Sequence, residues 1–281
     1  MMKFSRYHAL GNDYIVARPE DFKWKIDEKT IRRICHRHYG VGADGILWGP
    51  LESRQCDFGL RIFNPDGSEA EKSGNGLRIF ARFLIDGSLT DRSDFTIETA
   101  GGPVVCKVRP DKRSVRVQMG GVSFNSREIP VAGGAREVIN ETLEIEDRRF
   151  KFCAVTVGNP HCVVLSEEPS PGLAQKWGPL IETHPLFPNR TNVQFLQVTD
   201  RSNIRIEIWE RGAGYTLASG SSSTAAAAVA LKLGRCDPKM TVRMPGGDIE
   251  LRFDENLHAT MTGPVTKVCD GVISPEIFEP E

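Results

Sequence analysis

The chain has 281 residues, of which 40% are hydrophobic and 26% charged, and its formal net charge is -1. That length suits two domains of ordinary size, and the balance is that of a globular chain and not a disordered one. Near-neutral charge excludes the basic footprint of a nucleic-acid binder, and no segment approaches the roughly 20 apolar residues of a membrane span.

The first residues, M-M-K-F-S-R-Y-H, lack the apolar stretch of a secretory signal. The next clear element is Phe58 to Phe63, which alternates as a strand. From Gly74 to Ile85 the residues Leu77, Phe80, Ala81 and Leu84 recur at helical spacing. Asp94 to Thr99, Val104 to Val108 and Ser114 to Met119 are predicted as strands joined by Gly and Pro turns. Turn residues gather at Gly120-Gly121 and Gly133-Gly134, where a domain border is expected. Ile204 to Trp209 again alternates as a strand. Ser221 to Leu233 is apolar nearly all round, as in a helix buried on every side. Thr241 to Met244 and Ile249 to Phe253 return to strand, and a last strand over about Val265 to Ile273 is expected to cross back to the first domain.

The seven cysteines, Cys35, Cys56, Cys106, Cys153, Cys162, Cys236 and Cys269, form no C-x-x-C pair. Free, mostly packed thiols in a cytoplasmic protein are the expectation, with no disulfide framework and no metal site.

The two halves echo each other. Ala9-Leu10-Gly11-Asn12-Asp13 returns as Thr156-Val157-Gly158-Asn159-Pro160, and Arg61-Ile62-Phe63-Asn64 as Glu207-Ile208-Trp209-Glu210. Ser73-Gly74 returns as Ser219-Gly220, and Gly101-Gly102 as Gly246-Gly247. Four matches in order at an offset of about 146 residues are far beyond any solenoid period and indicate a duplicated domain. The expected fold is α/β (α+β), with two pseudo-symmetric domains, each a barrel-like mixed sheet around a central helix. The N-terminal domain spans 1–120, joined by the strand at 264–275, and the C-terminal domain spans 121–263. Duplicated domains tend to meet across a cleft.

The paired helix starts carry the chemistry. N-P-D-G-S-E-A-E-K-Ser73-Gly74-Asn75-Gly76 leads into one, and E-R-G-A-G-Y-T-L-A-Ser219-Gly220-Ser221-Ser222 into the other. Glycine lets backbone approach a ligand, and helix N-termini favour a carboxylate. A reactive group at each start would flank an α-carbon from both faces, as a two-base racemase requires. Serine is also among the best N-cap residues, so capping alone explains either start taken singly.

At this point the chain resembles diaminopimelate epimerases over essentially its whole length. The motifs are H-A-L-G-N-D-Y, G-V-G-A-D-G, R-I-F-N-P-D-G-S-E-A-E-K-S-G-N-G, G-N-P-H-C-V, N-V-Q-F, E-R-G-A-G-Y-T-L-A-S-G-S and M-P-G-G. The resemblance implies a cofactor-independent isomerase that converts LL- to meso-diaminopimelate, a lysine and peptidoglycan precursor. It implies catalytic positions at Ser73 and Ser219, with auxiliary roles for His161 and Glu210. The implied substrate contacts are Asn12, Asn64, Gly74, Asn75, Asn159, Asn192, Glu210, Arg211, Gly220 and Ser221. Arg211 would pair with the carboxylate at the non-reacting end of the substrate. The implied partner is a small diaminopimelate-like amino acid, with no nucleic acid and no membrane, and a homodimer is compatible with it.

Four positions depart from the family pattern. Ser73 and Ser219 stand where the family uses two cysteines. A thiol has a pKa of about 8.5 and a hydroxyl lies nearer water at about 15.7. At ~1.36 kcal/mol per unit the difference is on the order of 10 kcal/mol against forming the base. A helix dipole supplies only about 0.3–1 kcal/mol. His161 or Glu210 would have to activate the serines, as a base does in hydrolases. Tyr215 stands where the family usually has Glu, and Cys269 where some members have a Tyr at the dimer contact. The double replacement leaves three readings open: an inactive form made to trap ligand, a paralogue acting on a more acidic proton, or a binding protein that kept the pocket and lost the reaction. The function read here is therefore epimerase-like isomerisation. The alternatives are a non-catalytic amino-acid-binding paralogue and a proton-shift isomerase or dehydratase using Glu210 or His161, since the same fold serves a phenazine-pathway isomerase.

Overall fold

A computed structural model of the chain describes residues 2–278. It divides into two compact units, with boundaries between Val117 and Gln118 and between Thr262 and Gly263.

In the first unit, Met2–Ala9 pairs antiparallel with Asn12–Ala17 on one side and with Thr266–Ile273 on the other. Asn12–Ala17 runs parallel to Ile46–Leu51, which is antiparallel to Phe58–Phe63. Phe58–Phe63 takes the short Glu69–Ala70 antiparallel and Asp94–Thr99 parallel. Gly102–Val108 and Ser114–Gly121 follow by antiparallel pairing. The second unit repeats this order. Arg148–Thr156 pairs with Pro160–Leu165, which runs parallel to Asn192–Asp200, itself antiparallel to Asn203–Glu210. That strand takes Gly214–Thr216 antiparallel and Lys239–Met244 parallel, and Gly247–Phe253 and His258–Pro264 complete the series. Even the registers echo: Phe63 lies opposite Glu69, and Trp209 opposite Tyr215. The duplication read from short motifs is thus a duplication of sheet topology.

Among the described residues four α-helices complete the fold: α1 (Glu28–Cys35), α2 (Gly74–Asp86), α3 (Pro171–Glu182) and α4 (Gly220–Lys232). Within its unit, α2 packs against Met2–Ala9, Asn12–Ala17, Ile46–Leu51 and Gly102–Val108, and α4 against six strands of the second unit. Both are therefore buried nearly all round. Bulky side chains fill the space about α2, with Leu77, Ile79, Phe80, Phe83 and Leu84 buried. In α4 the run Ala225 to Ala230, with Val229 its one larger member, lets the strands approach its backbone.

Helices α1 and α3 lie outside the sequence expectation. Each has an ordinary start: Asp27 Oδ1 accepts from Thr30 N at 3.0 Å, and Ser170 Oγ from Leu173 N at 3.2 Å with Pro171 following. Helix α3 lies on Asn192–Asp200, Asn203–Glu210 and Gly214–Thr216, burying Ala174, Trp177, Gly178 and Ile181.

Gly178 sits against Trp209 so closely that an added Cβ would lie 2.5 Å from the Trp209 Cβ and Cγ. Gly178→Ala gains roughly 1 kcal/mol of helix propensity but overpacks at a cost of about 1–3 kcal/mol. A net loss on the order of 1 kcal/mol is expected in urea unfolding, with an unchanged m-value. A stabilised variant would show that α3 moves off Trp209 without cost.

Candidate active site

The start of α2 is built from three stretches of the first unit. Ser73 is the N-cap, with extended backbone, and its Oγ accepts from Gly76 N at 3.0 Å. The Tyr14 hydroxyl lies 3.3 Å from the same oxygen. Beside it runs a line of amides. Arg78 Nη2 donates to Asn75 Oδ1 at 2.8 Å, Asn75 Nδ2 to Asn12 Oδ1 at 3.0 Å, and Asn12 Nδ2 to Asp44 Oδ2 at 3.0 Å. Each amide accepts on its oxygen and donates from its nitrogen, so both orientations are determined. Arg78 Nη1 also donates to the Gly74 carbonyl at 3.3 Å. Arg78 is fully buried, and burial pulls its guanidinium down to about 9, which leaves it charged at neutral pH. Behind Asp44, Arg37 bridges Asp44 and Asp13 at 2.7 and 2.8 Å. Burial raises the Asp13 carboxyl, but the hydrogen bonds of Arg37 and Arg6 outweigh it and hold the group below the usual carboxylate range. Asn64 stands outside this line: its amide donates to Ser68 Oγ at 3.0 Å, closing the N-P-D-G-S turn.

The start of α4 is organised differently. Ser219 is again the N-cap, but its Oγ is held more loosely, by Ser222 N at 3.4 Å and Ser221 Oγ at 3.5 Å. Gln194, fully buried, donates from Nε2 to Ser222 Oγ at 3.0 Å and to His161 Nδ1 at 3.1 Å. His161 Nε2 meets Asn159 Oδ1 at 2.8 Å. With Nδ1 accepting from Gln194, the ring proton belongs on Nε2, where it is donated to Asn159. Both ring nitrogens are thereby engaged. Burial, with Arg211 adding to it, pulls the imidazole down to about 3, so His161 is neutral at physiological pH. Asn159 follows Gly158, whose φ of 106° matches the 91° of Gly11 before Asn12, so the duplicated turn needs glycine in both units.

Arg211 and Glu210 end the strand Asn203–Glu210 and open the next turn. Arg211 N donates to Asn192 Oδ1 at 3.0 Å, and Arg211 Nη1 to the Asn189 carbonyl at 3.0 Å. Asn192 Nδ2 donates to the Pro160 carbonyl at 2.9 Å, which orients its oxygen towards Arg211. Tyr215 donates to the buried Glu207 Oε2 at 2.7 Å, and burial ahead of that bond pushes the phenol up to about 12.

The first unit thus brings Asn12, Gly74 and Asn75 together beside Ser73, with Asn64 closing a separate turn. The second joins Asn159 and His161 to the first turn of α4 through Gln194, and joins Asn192 to Arg211. Among the described residues, neither Ser73 Oγ nor Ser219 Oγ is hydrogen-bonded to an imidazole or a carboxylate. Among the described residues there is also no cluster of three or more His, Cys, Asp or Glu side chains suited to a metal ion, and no helix long and apolar enough to cross a membrane.

A solved structure of a probable proline racemase from Agrobacterium radiobacter is similar to this chain with a TM-score of 0.74 at 17% identity, covering 100% of this chain and 95% of that one. The fold is therefore one shared with a racemase-type protein. A family profile described as diaminopimelate epimerase matches residues 4–125 and 153–268. Diaminopimelate epimerase 2 of Nostoc sp. is 58% identical over 277 residues, covering 99% of this chain and 97% of that protein. The diaminopimelate epimerase of Moorella thermoacetica is 38% identical, covering 96% and 98% respectively. The chain belongs to the diaminopimelate epimerase family.

Tyr14, Asp44, Arg78 and Gln194 support the site without having been singled out in the sequence. Tyr14 and Gln194 lie inside the motifs H-A-L-G-N-D-Y and N-V-Q-F, so their positions were visible and their roles were not. Arg78 sits one turn into α2, a helix that also carries Arg82 and Asp86, so its charge did not set it apart in the sequence.

His161 gives the fold a pH signature. Its folded pKa of about 3 is below the ordinary 6.5, so the unfolded chain binds the extra proton first as pH falls. Its contribution is intact above about pH 6.5 and is lost on going from there towards pH 3, at about 1.4 kcal/mol per unit. Urea unfolding at pH 7 and pH 5 is expected to show a loss from this group of about 2 kcal/mol that His161→Gln abolishes. An identical pH slope in the variant would mean that His161 is protonated in the fold.

Proposed function

We propose that this chain is a cofactor-independent isomerase of amino-acid α-carbons that takes diaminopimelate, working in the cytoplasm on the route to lysine and peptidoglycan. The observation that carries the reading is near-full-length similarity to diaminopimelate epimerases, combined with a serine-capped helix start in each duplicated unit. In this reading Gly74 and Asn75, with Asn12 and Asn64, and Gly220 and Ser221, with Asn159 and Asn192, recognise the substrate. Glu210 and Arg211 receive its ammonium and distal carboxylate groups. Ser73 and Ser219 take the positions of the two acid–base groups, and His161 acts as a positioning residue that orients Asn159.

The hydroxyls limit the rate. Each accepts a backbone N–H, which stabilises negative charge on the oxygen, as does the helix dipole. Those effects amount to about 1 kcal/mol for the dipole, against a deficit on the order of 10 kcal/mol relative to a thiol. Proton removal by serine is therefore the slow step. Binding without turnover is the second reading, and the use of each serine Oγ to cap its own helix favours it.

Incubation of the pure protein with LL- and meso-diaminopimelate in heavy water, followed by NMR of the α-proton, separates these. Slow deuterium uptake with inversion, abolished by Ser73→Ala, is the expected result. The double variant Ser73→Cys with Ser219→Cys is expected to exchange faster by at least about a hundredfold. A double variant that binds substrate and gains no exchange would overturn the assignment of these two positions. Calorimetric binding without exchange in the unaltered protein would establish the second reading.

A further inference from the structure

Glu182 is the last residue of α3 and only 3% exposed. This is a poor place for a carboxylate. The helix C-terminus already carries the negative end of the dipole, and burial removes solvation. Three donors compensate. Trp209 Nε1 donates to Oε2 at 2.6 Å, Gly212 N donates to Oε1 at 2.9 Å, and Arg190 Nη2 also donates to Oε1.

The donors are not scattered. Trp209 and Gly212 flank Glu210 and Arg211. Arg190 lies between the two residues that hold Arg211 directly, Asn189 through its carbonyl and Asn192 through its side-chain oxygen. One buried carboxylate thus ties the stretch 189–192 to the turn 209–212. Arg190 adopts a φ of 59°, a left-handed conformation uncommon outside glycine, and its guanidinium reaches Glu182 from there. A charge at the wrong end of a helix and a left-handed arginine are both unfavourable locally. Together they fix the backbone that aims Arg211.

We propose that Glu182 is a positioning residue that sets the direction of the Arg211 guanidinium and so the selectivity of the site for a substrate with a second, distal carboxylate. The inference rests on the reading of Arg211 as the partner of that carboxylate. Replacing Glu182 by glutamine turns one acceptor into a donor, so at least one of the three N–H groups loses its partner and the turn loosens.

The test is calorimetry on the full chain with LL-diaminopimelate and with L-lysine, which lacks the distal carboxylate. Glu182→Gln is expected to weaken diaminopimelate binding about tenfold while changing lysine binding less than about twofold. Arg211→Gln is expected to give the same selective loss, and the double variant no more than Arg211→Gln alone. Should Arg211→Gln leave diaminopimelate binding unchanged, the reading of Arg211 is itself wrong and the inference goes with it. Should Arg211→Gln be selective while Glu182→Gln weakens both ligands equally, or neither, Glu182 is a structural residue only and the inference alone is overturned. If Glu182→Gln does not fold, Trp209→Phe removes a single donor and is expected to show the same selective loss at smaller size. An unchanged ratio of the two affinities in that variant would overturn the proposal.

Discussion

A helix wrapped by strands has no solvent for the N–H groups of its first turn, and every one of them must find a partner nearby. Both central helices begin under this constraint, and much of each unit is arranged around it. Serine at the N-cap satisfies one donor with the least bulk, at Gly76 N in α2 and at Ser222 N in α4. The neighbouring polar side chains are then drawn in from the strands that surround the helix. Asn12 and Tyr14 reach α2 from Asn12–Ala17, while Gln194 reaches α4 from Asn192–Asp200. A site assembled in this way is rigid because its members also complete the fold.

The two units solve the same problem with different chemistry. Around α2 the polar line ends in charges, from the buried guanidinium of Arg78 through two asparagines to Asp44 and its arginine partner Arg37. Around α4 it is neutral throughout, from Ser222 through Gln194 and the uncharged His161 to Asn159. The two serine hydroxyls are therefore unequal. Ser73 has a shorter cap bond and a phenol beside it, and Ser219 is held by longer bonds to its own helix turn. A duplicated backbone has kept its topology while the polar residues diverged around it.

How much of this the sequence disclosed follows from the kind of signal each feature leaves. The strand Phe58–Phe63 and the helix beginning near Gly74 are regular over several residues, so alternation and helical spacing located them. The repeat was legible because its turns need glycine before Asn12 and Asn159, and such turns resist substitution. Helix α3 was missed although Ser170 and Pro171 announce its start, because Pro179 and Gly178 interrupt its later turns. Edge and connecting strands such as Glu141–Ile145 are short and leave almost no pattern. Among site residues, those carried in motifs were visible, whereas Glu182 was hidden. A glutamate closing a helix reads as a solvated charge, and only the fold shows that Trp209, Gly212 and Arg190 converge on it.

The pairing of Met2–Ala9 with Thr266–Ile273 has a consequence for biogenesis. The second unit is one uninterrupted stretch and can close its sheet as soon as it has emerged from the ribosome. The first unit cannot: its opening strand keeps one edge unpaired until the closing strand, made last, arrives to cover it. During synthesis that edge is the exposed one, open to pairing with other chains. The unit translated first is thus the unit completed last, and contacts of long sequence separation make its closure the slower event.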